Sequence, residues 1–327
     1  MLAAMRWRWM SAGWALALIA AALYLERSPP AHDSPLGRFL AAEPVHIVAH
    51  TLLYGSLAAL LAWRWFPTDA LDAPRAALRS RVLAAGISFL AVAGAQELVQ
   101  SLSRQRLPCM EEYFDLSVDV GGASLGLIAW SLADRRRRYP VARALGVVLH
   151  PAILGPLGMY AVLRSALEDG SAALRWTSLG VLAALPVAAV WQVGLRRGWF
   201  GDRDLSVRSE RPVFLLAALL SAAGLYASVL ALDAPLAVRH VALAGAAATV
   251  LVSALTVAGL KVSGHVAVPV GVMVLLQATS FRGPWPFVLA ALALSWARVG
   301  EGRHTTREVV SAWGVACASG VLTLWAG

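Results

Sequence analysis

Long apolar segments recur along the chain and constrain its fold more than any other feature. Most are close to the ~20 residues that a helix needs to cross a bilayer, and we count about eleven of them. They lie at residues 9–25, 45–66, 82–102, 118–133, 141–163, 172–195, 213–232, 237–260, 266–281, 285–297 and 309–326. Two in the second half are shorter, which favours a tilted or partly buried helix for one of them. Because a backbone in lipid must satisfy its own hydrogen bonds, the sequence predicts an all-α bundle of transmembrane helices whose surroundings are the lipid bilayer.

The composition agrees with this setting and excludes several other classes. Hydrophobic residues make up 59% of the 327 residues and charged residues 14%, which is too apolar for a soluble domain. Basic residues outnumber acidic ones, 28 to 19, but no basic stripe alternates with aromatic side chains, so we expect no nucleic-acid partner. Cys109 and Cys317 are far apart in sequence and suggest neither a disulfide framework nor a metal site. We therefore expect no metal and no cofactor.

Arginine clusters predict the orientation and the division of the chain. Arg6 and Arg8 precede the first apolar segment, and four consecutive arginines occupy residues 135–138. Both clusters mark the cytoplasmic side under the positive-inside rule, and an even number of segments connects them. We expect an uncleaved first helix, with a cleaved signal peptide as the alternative. The predicted domains are 1–138 and 139–327, in a bacterial inner (plasma) membrane with a cytoplasmic N-terminus.

Three polar clusters interrupt the apolar segments of the second domain, at residues 208–212, 261–265 and 298–308. An even number of segments separates each cluster from the next, so all three are predicted at one membrane face. Ionisable residues that converge at helix ends are candidates for a functional site. In the third cluster, Glu308 follows His304 by four residues, so its carboxylate can orient the imidazole. The alternative is a basic loop that joins helices without chemistry.

These clusters resemble the three motifs of the phosphatidic-acid phosphatase type 2 superfamily, membrane phosphatases with a histidine nucleophile and no metal. The resemblance covers about residues 141–327. It departs at two positions: the family has a lysine where this chain has Asp204, with Arg203 or Arg208 as substitutes, and it usually has an aspartate where this chain has Glu308. The motifs read Ser209-Glu210-Arg211-Pro212, Ser263-Gly264-His265 and Arg298-x5-His304-x3-Glu308.

The resemblance implies hydrolysis of a phosphate ester or pyrophosphate on a lipid, such as a polyprenyl pyrophosphate or phosphatidic acid. His304 would attack phosphorus while Glu308 fixes its tautomer, and His265 would protonate the leaving oxygen. The parity of the segments predicts a cytoplasmic site, and the assignment inverts if segment 141–163 does not cross. The implied phosphate-binding residues are Arg211, Arg298, Lys261, Ser263, Gly264 and Arg208.

A second polar set lies within the apolar segments of the first domain. His46, His50 and Tyr54 are spaced by four residues and form one helical stripe. A carboxylate such as Glu97 is unfavourable in an apolar segment, so it is predicted to pair with His50 or an arginine. The other members are Gln100, Arg104, Asp115 and Asp119. Two interpretations remain open, a polar clasp that fixes helix packing and a ligand site.

This domain resembles the VanZ-like family, named for a glycopeptide-resistance membrane protein. The family pattern is a His with a Tyr four residues on, then Glu-x-x-Gln, an Arg, and Asp-x3-Asn-x2-Gly-x3-Gly, with Asp119 here in place of the Asn. Gly122 and Gly126 are also predicted to let two helices approach closely. The resemblance implies location and fold, with an envelope-lipid role as a hypothesis. The competing function is a non-catalytic protein that binds or transports a lipid phosphate and affects glycopeptide resistance. The oligomeric state is left open. Matching residues are His50, Tyr54, Glu97, Gln100, Arg104, Asp115, Gly122 and Gly126.

Overall fold

A computed structural model describes residues 2–27, 34–66, 75–105, 110–202, 205, 207–279 and 283–325. It is 86% helical, with no strand in the described residues, so the predicted all-α fold is confirmed. The helices are α1 (Leu2–Arg27), α2 (Pro35–Ala41), α3 (Glu43–Trp65), α4 (Arg75–Ser103), α5 (Met110–Leu132), α6 (Arg135–Val148), α7 (Pro151–Leu167), α8 (Gly170–Arg196), α9 (Arg211–Ala231), α10 (Leu236–Val257), α11 (Gly264–Gln277), α12 (Trp285–Gly300) and α13 (Thr306–Trp325).

Six helices among the described residues are long and apolar enough to cross a bilayer. They are Glu43–Trp65, Ser80–Ser103, Gly170–Arg196, Arg211–Ala231, Leu236–Val257 and Thr306–Trp325. Shorter apolar helices are Trp9–Leu25, Gly264–Gln277 and Trp285–Gly300. These helices indicate a membrane protein, whereas the larger number of spans expected from the sequence stays a prediction.

Segment 141–163, predicted as one membrane helix, is divided into two helices in the structure. Helix α6 ends at Val148, α7 begins at Pro151, and the two are bent by 46°. His150 lies between them with extended backbone angles, as expected for the residue before a proline. Its Nδ1 accepts a hydrogen bond from Ala152 N at 3.1 Å and caps α7. The prediction of a continuous helix was wrong because Pro151 lacks the N–H that would extend α6.

The chain divides into two compact units, Met1–Ala144 (unit 1) and Leu145–Gly327 (unit 2). The domain boundary predicted from the sequence follows residue 138, which lies inside α6. The arginines of residues 135–138 open this helix, and Arg137 is buried in unit 1. Its guanidinium carbon lies 4.2 Å from the ring centroid of Trp63 and 4.6 Å from that of Trp130. Part of the arginine cluster therefore packs in the protein instead of acting only as a topological signal.

Unit 1 is built around the close approach of α3 and α5. A Cβ added at Gly126 would lie 1.9 Å from the Gly55 carbonyl oxygen, and one at Gly122 would lie 2.6 Å from that of Thr51. Both contacts advance in the same chain direction, so the two helices run parallel. The predicted close approach at Gly122 and Gly126 is confirmed. Side chains of α1, α3, α4 and α5 form the adjoining core, which includes Leu18, Tyr54, Leu57, Phe89, Ala93 and Ala123.

Unit 2 is organised around α11, which packs against α7, α12 and α13. A Cβ at Gly158 of α7 would lie 2.4 Å from Val272 Cγ2, and one at Gly320 of α13 would lie 2.6 Å from Val274 Cγ1. Gly155 of α7 likewise approaches Val268 of α11, and Lys261 just before α11 contacts Arg303 just before α13. The contacts along each pair therefore advance in one chain direction, so α7, α11 and α13 run parallel. Their N-termini therefore lie at one end of unit 2, where the antiparallel α12 ends. This end carries the second and third polar clusters.

Candidate functional site

The third cluster is positioned by the turn that ends α12. Gly302 adopts φ 69°, and its N–H donates to Val299 O at 3.0 Å. Arg303 N donates to Arg298 O at 3.2 Å, which completes a Schellman motif. His304 N also donates to Arg298 O, at 3.1 Å. The turn therefore folds His304 back over the end of α12.

A capping box starts the following helix. Thr305 N donates to Glu308 Oε2 at 2.9 Å, and Glu308 N donates to Thr305 Oγ1 at 3.3 Å. The same carboxylate oxygen lies 3.3 Å from Nδ1 of the buried His304. The structure thus brings His304 and Glu308 together as the spacing predicted. Sequence reasoning missed the capping role, although Thr-x-x-Glu before an apolar run is its signature.

Arg298, a predicted phosphate-binding residue, is buried in an ion pair. Its Nη1 lies 2.6 Å from Glu301 Oε2, with the side chains 4% and 8% exposed. Gly146 of α6 packs on this pair, since a Cβ there would lie 3.4 Å from Glu301 Oε2 and 3.5 Å from Arg298 Nη1. Glu301 was missed by sequence reasoning, although its position three residues after Arg298 was the available signal. The pairing reduces the net charge that Arg298 offers to a phosphate.

The second cluster contacts the third directly. Lys261 Nζ donates to Arg303 O at 3.2 Å, so the loop before α11 lies against the turn that carries His304. Ser263 is the N-cap of α11, fully buried, and its Oγ has no hydrogen-bond partner among the described residues. Gly264 begins the helix, and a Cβ there would meet no heavy atom within 4 Å.

His265 follows Gly264 and contacts a histidine that sequence reasoning missed. Its ring centroid lies 4.9 Å from that of His150, with the ring planes 86° apart. His150 caps α7 and His265 lies in the first turn of α11, so two helix N-termini meet there. Helix N-termini carry partial positive charge and favour anions. No sequence signal pointed to His150, because it lies inside a segment interpreted as a span.

The first cluster lies in the loop that leads into α9. Arg211 starts the helix, and its Nε donates to Leu205 O at 2.9 Å. Glu210 Oε2 accepts from Gly201 N at 3.0 Å. These contacts fold the loop against the first turn of α9. Outside the described part of the chain lie Arg203, Asp204, the side chain of Arg208 and, in unit 1, Cys109.

A separate polar cluster joins α3 to α5 in unit 1. His46 Nε2 lies 2.9 Å from Asp115 Oδ1, and His50 Nδ1 lies 2.8 Å from Asp119 Oδ1. The two pairs are one helical turn apart on both helices, because α3 and α5 run parallel. Asp119 is fully buried. The polar stripe predicted on α3 therefore faces carboxylates of α5.

On the α4 side, this cluster contains Gln96, which was not among the residues predicted from the sequence. Tyr54 Oη donates to Gln96 Oε1 at 2.6 Å, and Gln96 Nε2 donates to Glu97 Oε1 at 3.3 Å. The His50 ring is hydrogen-bonded to Asp119, and its ligand nitrogen lies within 4.8 Å of a Glu97 carboxylate oxygen. The pairing of Glu97 with His50 or an arginine stays a prediction. Gln96 was missed because the family pattern drew attention to Gln100. Gln100 is half-buried on α4, and Arg104 is exposed just after the helix ends.

Two groups among the described residues of unit 1 could hold a metal ion. The ligand atoms of His46, His50 and Asp115 lie within 4.8 Å of one another, as do those of His50, Glu97 and Asp119. We expected no metal because Cys109 and Cys317 form no ligand set, whereas these groups consist of His, Asp and Glu from three separate segments. Their proximity arises from tertiary packing.

Comparison with known proteins identifies no relative. No family model, no curated protein and no solved structure matches this chain. The fold and the clusters define the class only as a helical membrane protein with a polar cluster in each unit. Its assignment to either resembled family is therefore a proposal.

Proposed function

We propose that this chain is an integral membrane phosphatase that hydrolyses a phosphate ester or anhydride of an envelope lipid through a phosphohistidine at His304. The hydrogen bond from Lys261 Nζ to Arg303 O at 3.2 Å carries this proposal. It holds the loop of His265 beside the loop of His304, at the end of unit 2 where α7, α11 and α13 begin. A nucleophile, a proton donor and an anion-favouring environment are thus supplied by neighbouring segments.

In the proposed reaction, Nδ1 of His304 faces Glu308 Oε2 at 3.3 Å, so attack on phosphorus falls to Nε2. The P–N bond forms as the P–O bond to the lipid breaks, and His265 gives its proton to the leaving oxygen. Glu308 stabilises the cationic phosphohistidine. Water, deprotonated by His265, then attacks phosphorus, releases inorganic phosphate and restores both histidines.

The phosphoryl oxygens would be held by backbone and side-chain donors around α11. Ser263 contributes a buried hydroxyl with no partner among the described residues, and Gly264 exposes the first N–H groups of α11. Lys261 would supply positive charge there, and Arg211 of the first cluster is assigned the same role by the resemblance alone. Arg208 and Arg298 complete the proposed set, although the Glu301 carboxylate already balances Arg298.

The test is release of inorganic phosphate by the purified full-length protein in mixed micelles. The panel contains phosphatidic acid, a polyprenyl pyrophosphate and p-nitrophenyl phosphate as a soluble ester. We expect His304→Ala to abolish release and His265→Ala to reduce it by about 10²- to 10⁴-fold. His240→Ala, on α10 outside the three clusters, is the matched control and should keep full activity. Unchanged turnover in folded His304→Ala would exclude the mechanism.

The second candidate is a non-catalytic protein that binds or transports a lipid phosphate and affects glycopeptide resistance. It is favoured by the ion pair at Arg298 and by Asp204, which stands where the resembled family has lysine. This function predicts saturable binding of the lipid phosphate without phosphate release. It also predicts that His304→Ala leaves that binding within about threefold of the native protein.

The architecture we propose has about eleven membrane helices, which counts the shorter apolar helices as crossing. Residues 1–138 form a VanZ-like domain, and residues 139–327 form a phosphatidic-acid phosphatase type 2-like domain. The membrane is a bacterial inner membrane, and the N-terminus is cytoplasmic. The face that holds the His304 site depends on whether the bent α6–α7 pair crosses the bilayer. Accessibility of a cysteine placed at Arg303 to an impermeant thiol reagent in spheroplasts distinguishes the two faces.

A further inference from the structure

We infer that unit 1 holds a divalent transition-metal ion between α3, α4 and α5, with His50, Glu97 and Asp119 as its ligands. Each ligand comes from a different helix, and the three ligand atoms lie within 4.8 Å of one another. All three residues are buried. The inference is independent of the phosphatase proposed for unit 2.

The spacing of one donor pair, His50 and Asp119, fits two ligands of a single ion. Metal–nitrogen and metal–oxygen distances of about 2.0–2.2 Å place two ligands of one ion roughly 3 Å apart when the angle between them is near 90°. His50 Nδ1 and Asp119 Oδ1 are 2.8 Å apart. An ion can therefore replace the shared proton of this hydrogen bond with little movement of either side chain.

A buried carboxylate oxygen provides the second, independent observation. Asp119 is 0% exposed, and its Oδ2 has no hydrogen-bond partner among the described residues. Leaving a buried carboxylate oxygen unsatisfied is strongly unfavourable. A polar clasp that only fixed helix packing would not need this second oxygen. A cation bound by both oxygens of the Asp119 carboxylate satisfies Oδ2 and balances the charge of two buried carboxylates.

Neighbouring side chains fix the ligands in place. Gln96 donates to Glu97 Oε1 at 3.3 Å and in turn accepts from Tyr54 Oη at 2.6 Å. This chain of hydrogen bonds orients the Glu97 carboxylate, as outer hydrogen bonds do at metal sites. The His46–Asp115 pair lies one turn away and is part of a second group with His50. It supplies candidate additional ligands on the same stripe.

The donor types indicate which ions fit. Imidazole nitrogen with carboxylate oxygen, and no sulfur, suits Zn²⁺, Mn²⁺ or Fe²⁺ and does not suit soft Cu⁺. Mg²⁺ and Ca²⁺ prefer oxygen ligands alone. The inference therefore specifies a first-row divalent ion held by mixed nitrogen and oxygen ligands.

The experiment measures metal in the full-length protein, purified in detergent with a tag that contains no histidine. After chelation and reloading with Zn²⁺, elemental analysis should find about one ion per chain. Competition with a chromophoric chelator gives the affinity. We expect Asp119→Asn and Glu97→Gln each to weaken Zn²⁺ binding by at least about 100-fold. His240→Gln, in unit 2 outside the cluster, is the control and should bind Zn²⁺ like the native protein.

Reloading with Co²⁺ provides a test that needs no variant. Nitrogen and oxygen ligation of Co²⁺ gives visible d–d absorption, which should appear in proportion to bound ion and vanish on competition with Zn²⁺. Folded native protein that takes up no Zn²⁺, Mn²⁺, Fe²⁺ or Co²⁺ would overturn the inference. Uptake that is unchanged in both ligand variants would overturn it as well. Phosphate release by unit 2 should persist after chelation, which keeps the two proposals separable.

Discussion

The polar clusters of the two units are assembled by different means. In unit 1, His46 and His50 of α3 meet Asp115 and Asp119 of α5 across 69 residues of sequence. In unit 2, the turn that carries His304 is held by backbone hydrogen bonds within a few residues. The contact from Lys261 to Arg303 then joins that turn to α11. The first cluster therefore depends on helix packing, and the second depends mainly on helix termini.

This difference determines where each cluster is vulnerable. A substitution that separates α3 from α5 should disturb the His50–Asp119 pair even though neither of these residues is changed. The His304–Glu308 contact should instead respond to changes in its own turn and cap. The variants below test that contrast, in decreasing order of expected effect.

The largest effect is expected from Gly126→Ala, which places a Cβ 1.9 Å from the Gly55 carbonyl oxygen. Backbone cannot move aside as a flexible side chain can, so α3 and α5 must separate. We expect a loss of about 3 kcal/mol in the free energy of unfolding. Hydrogen exchange of peptides from α3 and α5 gives a readout confined to unit 1.

The matched control is Gly94→Ala on α4, where an added Cβ meets nothing within 4 Å. It should be neutral or stabilise by up to about 1 kcal/mol, because alanine is the better helix former. Equal exchange rates in the two variants would show that the unit 1 cluster does not depend on the close approach of α3 and α5, and would contradict the proposed difference between the two units.

The second prediction separates the two roles of Glu308. Glu308→Gln keeps an acceptor for Thr305 N, so the capping box persists and stability should change by less than about 1 kcal/mol. The variant removes the charge that stabilises a cationic His304. Phosphate release should therefore fall by at least about 100-fold. Thermal unfolding and the phosphate assay are measured on the same preparation.

Thr305→Ala is the counterpart variant. It removes the hydroxyl that accepts from Glu308 N at 3.3 Å and leaves the carboxylate in place. We expect a stability loss of about 1 kcal/mol with activity within about threefold. If Glu308→Gln loses stability but keeps turnover, Glu308 is only a helix cap and the proposed mechanism fails.

Local spacing was sufficient to predict part of the unit 2 site. The four-residue step from His304 to Glu308 places both side chains together on any helix or helix start, so tertiary structure was not needed. The meeting of residues 261–265 with residues 298–308 followed from counting apolar segments. Glu301 was not predicted as a site residue because it occupies an unspecified position of the resembled motif.

Contacts between helices could not be predicted in detail. Tyr54 contacts Gln96, which the resembled pattern does not include, because the spacing of residues within α4 does not reveal which of its side chains face α3. His150 was hidden in an apolar segment, and only the break before Pro151 brings it to a helix N-terminus beside His265. The number of membrane crossings could not be determined from the sequence either, because apolarity does not distinguish a full span from a bent pair of helices.

The third prediction concerns Arg137, which lies between Trp63 and Trp130. Arg137→Met retains the length of the side chain and removes its charge, so both cation–π contacts are lost. We expect a stability loss of about 1–2 kcal/mol. Thermal unfolding in detergent provides the measurement.

Arg138→Met is the matched control because Arg138 is exposed beside Arg137. Each variant removes one positive charge from the same cluster, so their effects on membrane orientation should be equal. A stability difference between them isolates packing. Equal stabilities would mean that unit 1 gains nothing from enclosing Arg137, and the cluster would then act on topology alone.

The smallest effect is expected from Gly302→Ala, which tests whether the turn itself positions His304. Nothing lies within 4 Å of the added Cβ, but alanine is strained at φ 69°. The expected stability loss is about 1 kcal/mol, whereas Gly314→Ala, in open space on α13, should cause none. Because His304 N and Arg303 N share the Arg298 carbonyl, a small change in the turn moves the nucleophile relative to His265. Phosphate release should therefore fall several-fold in Gly302→Ala and stay unchanged in Gly314→Ala. Equal activity in both would show that contacts with α11, and not the turn, hold His304, and the contrast between the two units would disappear.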